Sequence, residues 1–198
     1  MNIPSWTLLG QSILSGLFVG ALYGLLGLGL SLNWGLLRQI NLAHFALAFL
    51  GAYLTYQLAS VAHVDPFVAL VLIVPLFFAI GAAMHWVLGR FAVTPFTSLL
   101  ATFGLTVMIE AGIQWYWTAD FRKLESPYGE VKYRLGSLFV PLPELVTLTI
   151  AIGLSLAAWS LLRFTDLGKA MRAAAEDARI AAAFGVNEKA LGLALSGA

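Results

Sequence analysis

Residues 8–32 read LLGQSILSGLFVGALYGLLGLGLSL and contain no charged side chain. A transmembrane α-helix needs about 20 predominantly apolar residues, so this run predicts a helix that crosses a bilayer. No charge occurs from Met1 to Leu37 either. The basic region that opens a secretory signal peptide is therefore absent, and the start of the chain is interpreted as a first membrane span.

The composition of the whole chain agrees with this interpretation. Its 198 residues are 60% hydrophobic and 11% charged, with mean hydropathy +0.87, whereas soluble domains carry about 25% charged residues. The net charge is +1 and no basic stripe is present, which argues against nucleic acid as a partner. With no cysteine, the chain can form neither disulfides nor thiolate sites.

Further apolar runs are predicted to span the membrane at residues 42–61, 67–88, 97–117 and 145–162. Residues 163–189 differ, because they are Ala-rich and charged and predict an amphipathic helix in water. Another apolar run begins after residue 189. The predicted fold is all-α: a polytopic transmembrane helical bundle with about five complete spans plus a partial sixth. We expect residues 1–198 to form a single transmembrane domain that ends inside the sixth span, as a truncated chain would.

The distribution of Lys and Arg predicts the orientation, since these residues accumulate on the cytoplasmic side. Seven fall on the side of the 163–189 segment and four on the other: Arg38, Arg90, Arg163, Lys169, Arg172, Arg179 and Lys189 against Arg122, Lys123, Lys132 and Arg134. We therefore expect a cytoplasmic 163–189 segment and an N-terminus outside.

The spans contain polar and glycine positions with two possible interpretations each. Gly16, Gly20 and Gly24 recur every four residues and form a small-residue face on the first span. This face suits either helix packing or a translocation path. Several polar residues lie between two apolar runs: Asn33, Arg38, Gln39, Asn41 and His44. They form either a turn in which Asn41 caps the next helix or a broken helix that faces substrate.

Glu110 lies inside the fourth span. An intramembrane carboxyl group indicates function by default, but it could instead be protonated or hydrogen-bonded to a neighbouring helix. No phosphate-binding loop, Ser–His–Asp triad or HExxH motif occurs. His44 and His63 lack partners at metal-ligand spacing. We expect no enzymatic activity, no cofactor and no metal.

Three stretches together resemble the bacterial permeases for branched-chain amino acids. They are residues 27–53 (GLGLSLNWGLLRQINLAHFALAFLGAY), residues 99–112 (LLATFGLTVMIEAG) and residues 165–187 (TDLGKAMRAAAEDARIAAAFGVN). In the first, the matching positions are Gly29, Leu30, Leu32, Arg38, Ile40, Asn41, Ala43, His44, Gly51, Ala52 and Tyr53; in the second they are Ala101, Thr102 and Gly104. The third resembles the cytoplasmic EAA loop of that family. This chain departs from the pattern at Glu110, where an uncharged residue is usual, and family members run past residue 198.

The resemblance implies a permease subunit in the bacterial inner membrane that imports branched-chain amino acids, with urea or short amides, or a truncated non-transporting remnant, as alternatives. Implied partners are a second homologous permease subunit, two cytoplasmic ATPase subunits, a periplasmic substrate-binding protein and a small polar solute. Implied ATPase-coupling residues are Gly168, Arg172, Ala174, Ala175, Glu176, Ala182 and Gly185. Implied pathway residues are Gly20, Gly24, Asn33, Asn41, His44, Thr102, Gly104 and Glu110. Alanine favours helix in any setting, so the 163–189 segment could also be a solvated helix that docks nothing.

Overall fold

The computed structural model describes residues 6–37, 41–91, 94–118, 122–124, 127–177 and 181. Their helices are α1 (Trp6–Leu37), α2 (Ala43–Tyr56), α3 (Pro66–Phe91), α4 (Pro95–Trp117), α5 (Leu142–Phe164) and α6 (Asp166–Glu176). Within these residues, α1, α3, α4 and α5 are each long and apolar enough to cross a membrane. The predicted all-α polytopic fold is confirmed. The apolar run after residue 189 lies outside the described residues.

The predicted second span is shorter as an α-helix than the sequence indicates. Helix α2 has 14 residues and continues as a five-residue π-helical turn, Gln57–Val61. His63 then adopts a positive φ of 53°, and the Asp65 carboxylate accepts a hydrogen bond from Phe67 N at 2.8 Å to start α3. The hydrophobic run is thus helical over its predicted length, but its last turn is wider than an α-helix.

Two compact units divide the chain. One comprises residues 1–28 and 125–161, and the other comprises residues 29–124 and 162–198. The first contains a β-hairpin of strands β1 (Lys132–Leu135) and β2 (Leu138–Pro141), which turns at Gly136 with φ 63°. The hairpin lies between the fourth and fifth predicted spans.

Gln11 of α1 explains how the hairpin is held within its unit. Its side-chain amide donates to Phe139 O at 2.9 Å and accepts from Phe139 N at 3.0 Å. Gln11 therefore satisfies both backbone groups of one β2 residue, as a neighbouring strand would. The side chain of Leu138 also lies against Gly10, at 3.3 Å from the position of an added Cβ.

In the second unit, α2 and α4 run in the same direction. Leu42, which precedes α2, bonds to Thr102 early in α4, and Gln57, which follows α2, bonds to Trp117 at the end of α4. Both pairs are separated by 60 residues in sequence. The parallel pairing is what alternating passage through a membrane requires for two helices separated by one returning helix, α3.

Candidate functional site

Polar side chains recur every fourth residue along α4. We call this set the polar stripe, and it comprises Thr102, Thr106, Glu110, Gln114 and Thr118. Each step of four residues turns the stripe by about 40° around an α-helix. The stripe therefore passes from a buried position at Thr102, which is 1% exposed, to exposed positions at Glu110, Gln114 and Thr118.

Thr102 anchors the start of α2 to α4. Its hydroxyl accepts a hydrogen bond from Leu42 N at 3.2 Å and donates to Ser98 O at 2.9 Å. Ser98 is also buried, at 2% exposure. The first N–H groups of a helix have no partner within the helix, so the Thr102 hydroxyl supplies one from a neighbouring element.

The N-cap position of α2 is Leu42, one residue after Asn41, and the Leu42 side chain makes no capping hydrogen bond. Asn41 nevertheless contributes, because its Oδ1 accepts a hydrogen bond from Ala43 N at 3.0 Å. Asn41 and Thr102 thus each accept one backbone N–H at the start of α2. The bond from Leu42 to Thr102 forms only after the two helices pack, so the sequence alone does not indicate it.

His44 packs against Gly29, where α1 enters the second unit. A Cβ added at Gly29 would lie 2.8 Å from His44 Cε1 and 3.2 Å from Nε2. The ring also makes an edge contact with Phe45, at 5.5 Å between centroids. Two predicted site residues, His44 and Thr102, therefore lie at the same end of α2.

We expect Gly29→Ala to destabilise the protein and the matched Gly27→Ala to stabilise it. Alanine improves helix propensity by up to about 1 kcal/mol over glycine. At Gly27 an added Cβ meets no atom within 4 Å, whereas at Gly29 it meets the His44 ring, and overpacking costs about 1–3 kcal/mol. Thermal unfolding of both variants checks this; His44→Ala added to Gly29→Ala should restore the midpoint, and equal midpoints for the single variants would refute it.

An open cleft of about 310 Å³ lies between α2 and the outer part of the stripe. It is lined by Phe49, Tyr53, Glu110, Ile113, Gln114 and Thr118, which we call the α2–α4 cleft. Ile113 is 7% exposed and forms its buried floor. A charged side chain at the centre of a membrane helix costs about 2.5–3.5 kcal/mol, so Glu110 requires water or a polar partner on this face.

Trp117, the last residue of α4, contacts two residues at the end of the cleft nearest Thr118. Its indole N–H donates to Gln57 Oε1 at 3.0 Å, and its ring lies 5.3 Å from that of Tyr53. Tyr53 on α2 and Gln57, which follows α2, are thereby tied to the end of α4. The π-helical turn begins at Gln57 and is therefore the segment that carries this bond.

The other predicted pathway residues do not join the cleft. Gly20, Gly24 and Gly104 are exposed, and an added Cβ would meet nothing within 4 Å at any of them. Asn33 is half-buried in the last part of α1. Of the eight predicted pathway residues, the structure therefore brings together Asn41, His44 and Thr102 at one end of α2 and α4, and places Glu110 in the cleft.

Helix α6 starts with a side-chain cap and has two distinct faces. Thr165 Oγ1 accepts a hydrogen bond from Gly168 N at 3.0 Å, and Asp166 pairs with Lys169 at 2.9 Å in an exposed salt bridge. Gly168 and Met171 are buried. Ala173 and Glu176 are exposed on the opposite side.

The predicted coupling residues divide between these faces. Gly168 is buried, and Ala174 and Ala175 are half-buried, so all three face the protein. Arg172 is exposed but donates a hydrogen bond to Leu162 O, which ties α6 to the end of α5. Glu176 is exposed. The remaining coupling residues, Ala182 and Gly185, lie outside the described residues.

Five residues of the site were not assigned a role from the sequence: Phe49, Tyr53, Gln57, Gln114 and Ser98. The spacing of the polar stripe was a usable signal, since polar residues every fourth position in an apolar helix indicate one polar face. Phe49 and Tyr53, which we call the aromatic wall of α2, line the cleft opposite that face. No sequence signal indicated this placement. That placement depends on the parallel packing of α2 and α4.

Long apolar helices with a polar stripe along one of them define a polytopic helical membrane protein. The chain belongs to the family of branched-chain amino acid transport system permease components, whose family model matches residues 12–198. It is similar to the high-affinity branched-chain amino acid transport system permease protein LivH of Salmonella typhimurium and of Salmonella typhi. In each case the identity is 23% over 193 residues, covering 89% of this chain. The chain spans 62% of the length of these relatives, and no solved structure matches it.

Proposed function

We propose that this chain is a permease subunit of an ATP-binding-cassette importer for branched-chain amino acids in the bacterial inner membrane. The observation that carries the proposal is the family match from residue 12 to residue 198. The relatives whose names state this transport function add support. The polar stripe adds physical support, because an apolar helix gains nothing from such a stripe in contact with lipid.

The proposed assembly contains this subunit, a second homologous permease, two cytoplasmic ATPase subunits and a periplasmic substrate-binding protein. The N-terminus faces the periplasm and α6 faces the cytoplasm, as the excess of Lys and Arg on that side favours. In this orientation the α2–α4 cleft opens toward the periplasm. Solute released by the binding protein would enter there and follow the polar stripe past Thr106 toward Thr102.

Transport by the purified complex tests the proposal. The complex, isolated through a tag on this chain and reconstituted with its binding protein in proteoliposomes, should accumulate leucine only when ATP is supplied to the ATPases. Binding protein loaded with leucine supplies substrate, and vesicles without ATP are the control. Failure of leucine to accumulate with all subunits present would refute the proposal.

A second candidate substrate class is urea or short amides. The cleft favours it to the extent that carboxyl and amide groups, Glu110 and Gln114, can accept hydrogen bonds from neutral N–H donors. Accumulation of urea or acetamide without leucine, in the same proteoliposomes, would select this candidate.

A further inference from the structure

We infer that the α2–α4 cleft binds the ammonium group of the transported solute, with Glu110 as its charge partner. This inference rests on the proposed function and adds a recognition site to it. The cleft has a volume of about 310 Å³, at the lower end of the 300–1,000 Å³ typical of small-molecule sites, so it suits a small solute such as an amino acid rather than a large ligand.

Within the described part of the chain, the Glu110 carboxyl group forms no hydrogen bond or ion pair. The salt bridge found among these residues joins Asp166 and Lys169 on α6. Arg90 lies in the last turn of α3. Arg122 lies beyond α4 and donates to Trp117 O at 3.1 Å. A carboxyl group kept in an apolar helix without a partner is a functional site by default.

The other cleft walls favour a cation as well. Phe49 and Tyr53 lie one turn apart on α2 and line the cleft opposite the stripe. Aromatic ring faces attract ammonium groups. Gln114, one turn beyond Glu110, and Thr118, at the outer end of the stripe, add neutral oxygen acceptors to the cleft lining. A negative group, two aromatic rings and neutral acceptors together attract an ammonium group and repel a carboxylate.

The lining also sets the orientation of a zwitterionic amino acid. The ammonium group would point to Glu110, and the carboxylate would point away from it toward the opening. Selectivity follows: a solute of the same shape in which a keto oxygen replaces the ammonium group should bind poorly. For leucine that analogue is 4-methyl-2-oxopentanoate.

Transport by Glu110 variants gives the first test. In the reconstituted complex, Glu110→Gln should lower the leucine uptake rate about tenfold, while Glu110→Asp keeps most of it, because losing a charge partner of an ammonium group is costly. Glu144→Gln is the matched control, since Glu144 is an exposed carboxylate in the first turn of α5, and it should transport like wild type. Equal uptake by Glu110→Gln and wild type would overturn the inference and leave the proposed function standing. Absence of leucine uptake in wild type would instead remove the proposed function.

Thiol labelling gives a second test that does not need an active Glu110 variant. The chain has no cysteine, so Gln114→Cys places a single thiol in the cleft of this subunit. Its modification by a charged, water-soluble thiol reagent, followed by the mass of the subunit, should be slowed by leucine and not by 4-methyl-2-oxopentanoate. Met108→Cys, about 200° around the helix from Glu110 and exposed at 66%, should not respond to leucine. Equal protection by both solutes, protection by urea alone, or no protection would each overturn the inference.

Discussion

Replacing Ala173 with tryptophan is expected to separate this subunit from the proposed ATPase subunits while it remains in the membrane. Ala173 lies on the exposed face of α6, four residues after Lys169 and three before Glu176, so that all three are neighbours on the helix surface. Ala173 is exposed within the described part of the chain, and a tryptophan there would enlarge the outer face of α6, which faces the ATPases in the proposed assembly. We expect the yield of co-purified ATPase to fall by about a hundredfold, equivalent to about 2.7 kcal/mol of association free energy.

The controls for this prediction separate docking from folding. Glu130→Trp adds the same side chain at an exposed position on the opposite side of the membrane in the proposed orientation, and it should leave ATPase yield unchanged. Glu176→Trp, on the same face as Ala173, should reproduce the loss. Wild-type ATPase yield with Ala173→Trp would show that the exposed face of α6 does not dock the ATPase.

The structure also changes which α6 residues are expected to touch a partner. The resemblance to permeases implies Gly168, Ala174 and Ala175 as coupling residues, yet these face the protein. Their small side chains let α6 approach its own chain, so larger residues there should disturb the position of α6 rather than its outer surface. Glu176 is exposed on the outer face of α6 and therefore remains an expected contact residue. A sequence motif cannot make this distinction, because it does not say which face of the helix is already occupied.

The membrane spans could be predicted because hydropathy is a property of each segment by itself. The predicted runs at residues 67–88, 97–117 and 145–162 fall within α3, α4 and α5. The π-helical turn after Tyr56 and the hairpin at residues 132–141 could not be predicted in this way. The hairpin depends on Gln11, which lies 128 residues from Phe139 in sequence, and local patterning contains no information about such a contact.

The candidate site was predicted only in part, for a similar reason. Glu110 and Thr102 stand out in the sequence because polar side chains in an apolar helix are unusual. Their different roles depend on the path of the polar stripe. Thr102 faces the start of α2 and is buried, whereas Glu110 faces the open cleft. The different surroundings of Thr102 and Glu110 follow from the packing of α2 on α4. In that packing, residues 60 positions apart in sequence are bonded at both ends of α2.

Thr102→Val is expected to destabilise the protein far more than Thr106→Val, the same substitution one turn further along the polar stripe. Valine keeps the shape of Thr102 but removes the acceptor of Leu42 N–H from a part-buried hydrogen bond, and a buried donor left without a partner costs up to about 1–3 kcal/mol. In a protein of this size that lowers the thermal midpoint by about 2–12 °C. The hydroxyl of Thr106 donates only to Thr102 O within its own helix, so its loss should change the midpoint little.

The comparison of these two variants tests whether Thr102 acts as a link between helices or only as one member of a polar stripe. If it is a link, Thr102→Val should also increase amide hydrogen exchange at Leu42 and in the first turn of α2, because that N–H would no longer be bonded across to α4. Thr102→Ser retains the hydroxyl and should keep exchange at Leu42 close to the wild-type rate. Equal midpoints for the two valine variants, together with unchanged exchange at Leu42, would show that the bond between α4 and the start of α2 does not stabilise this end of the pair. The expected result instead makes Thr102 the residue that sets the register of α2 on α4, and thereby the distance between the aromatic wall and Glu110.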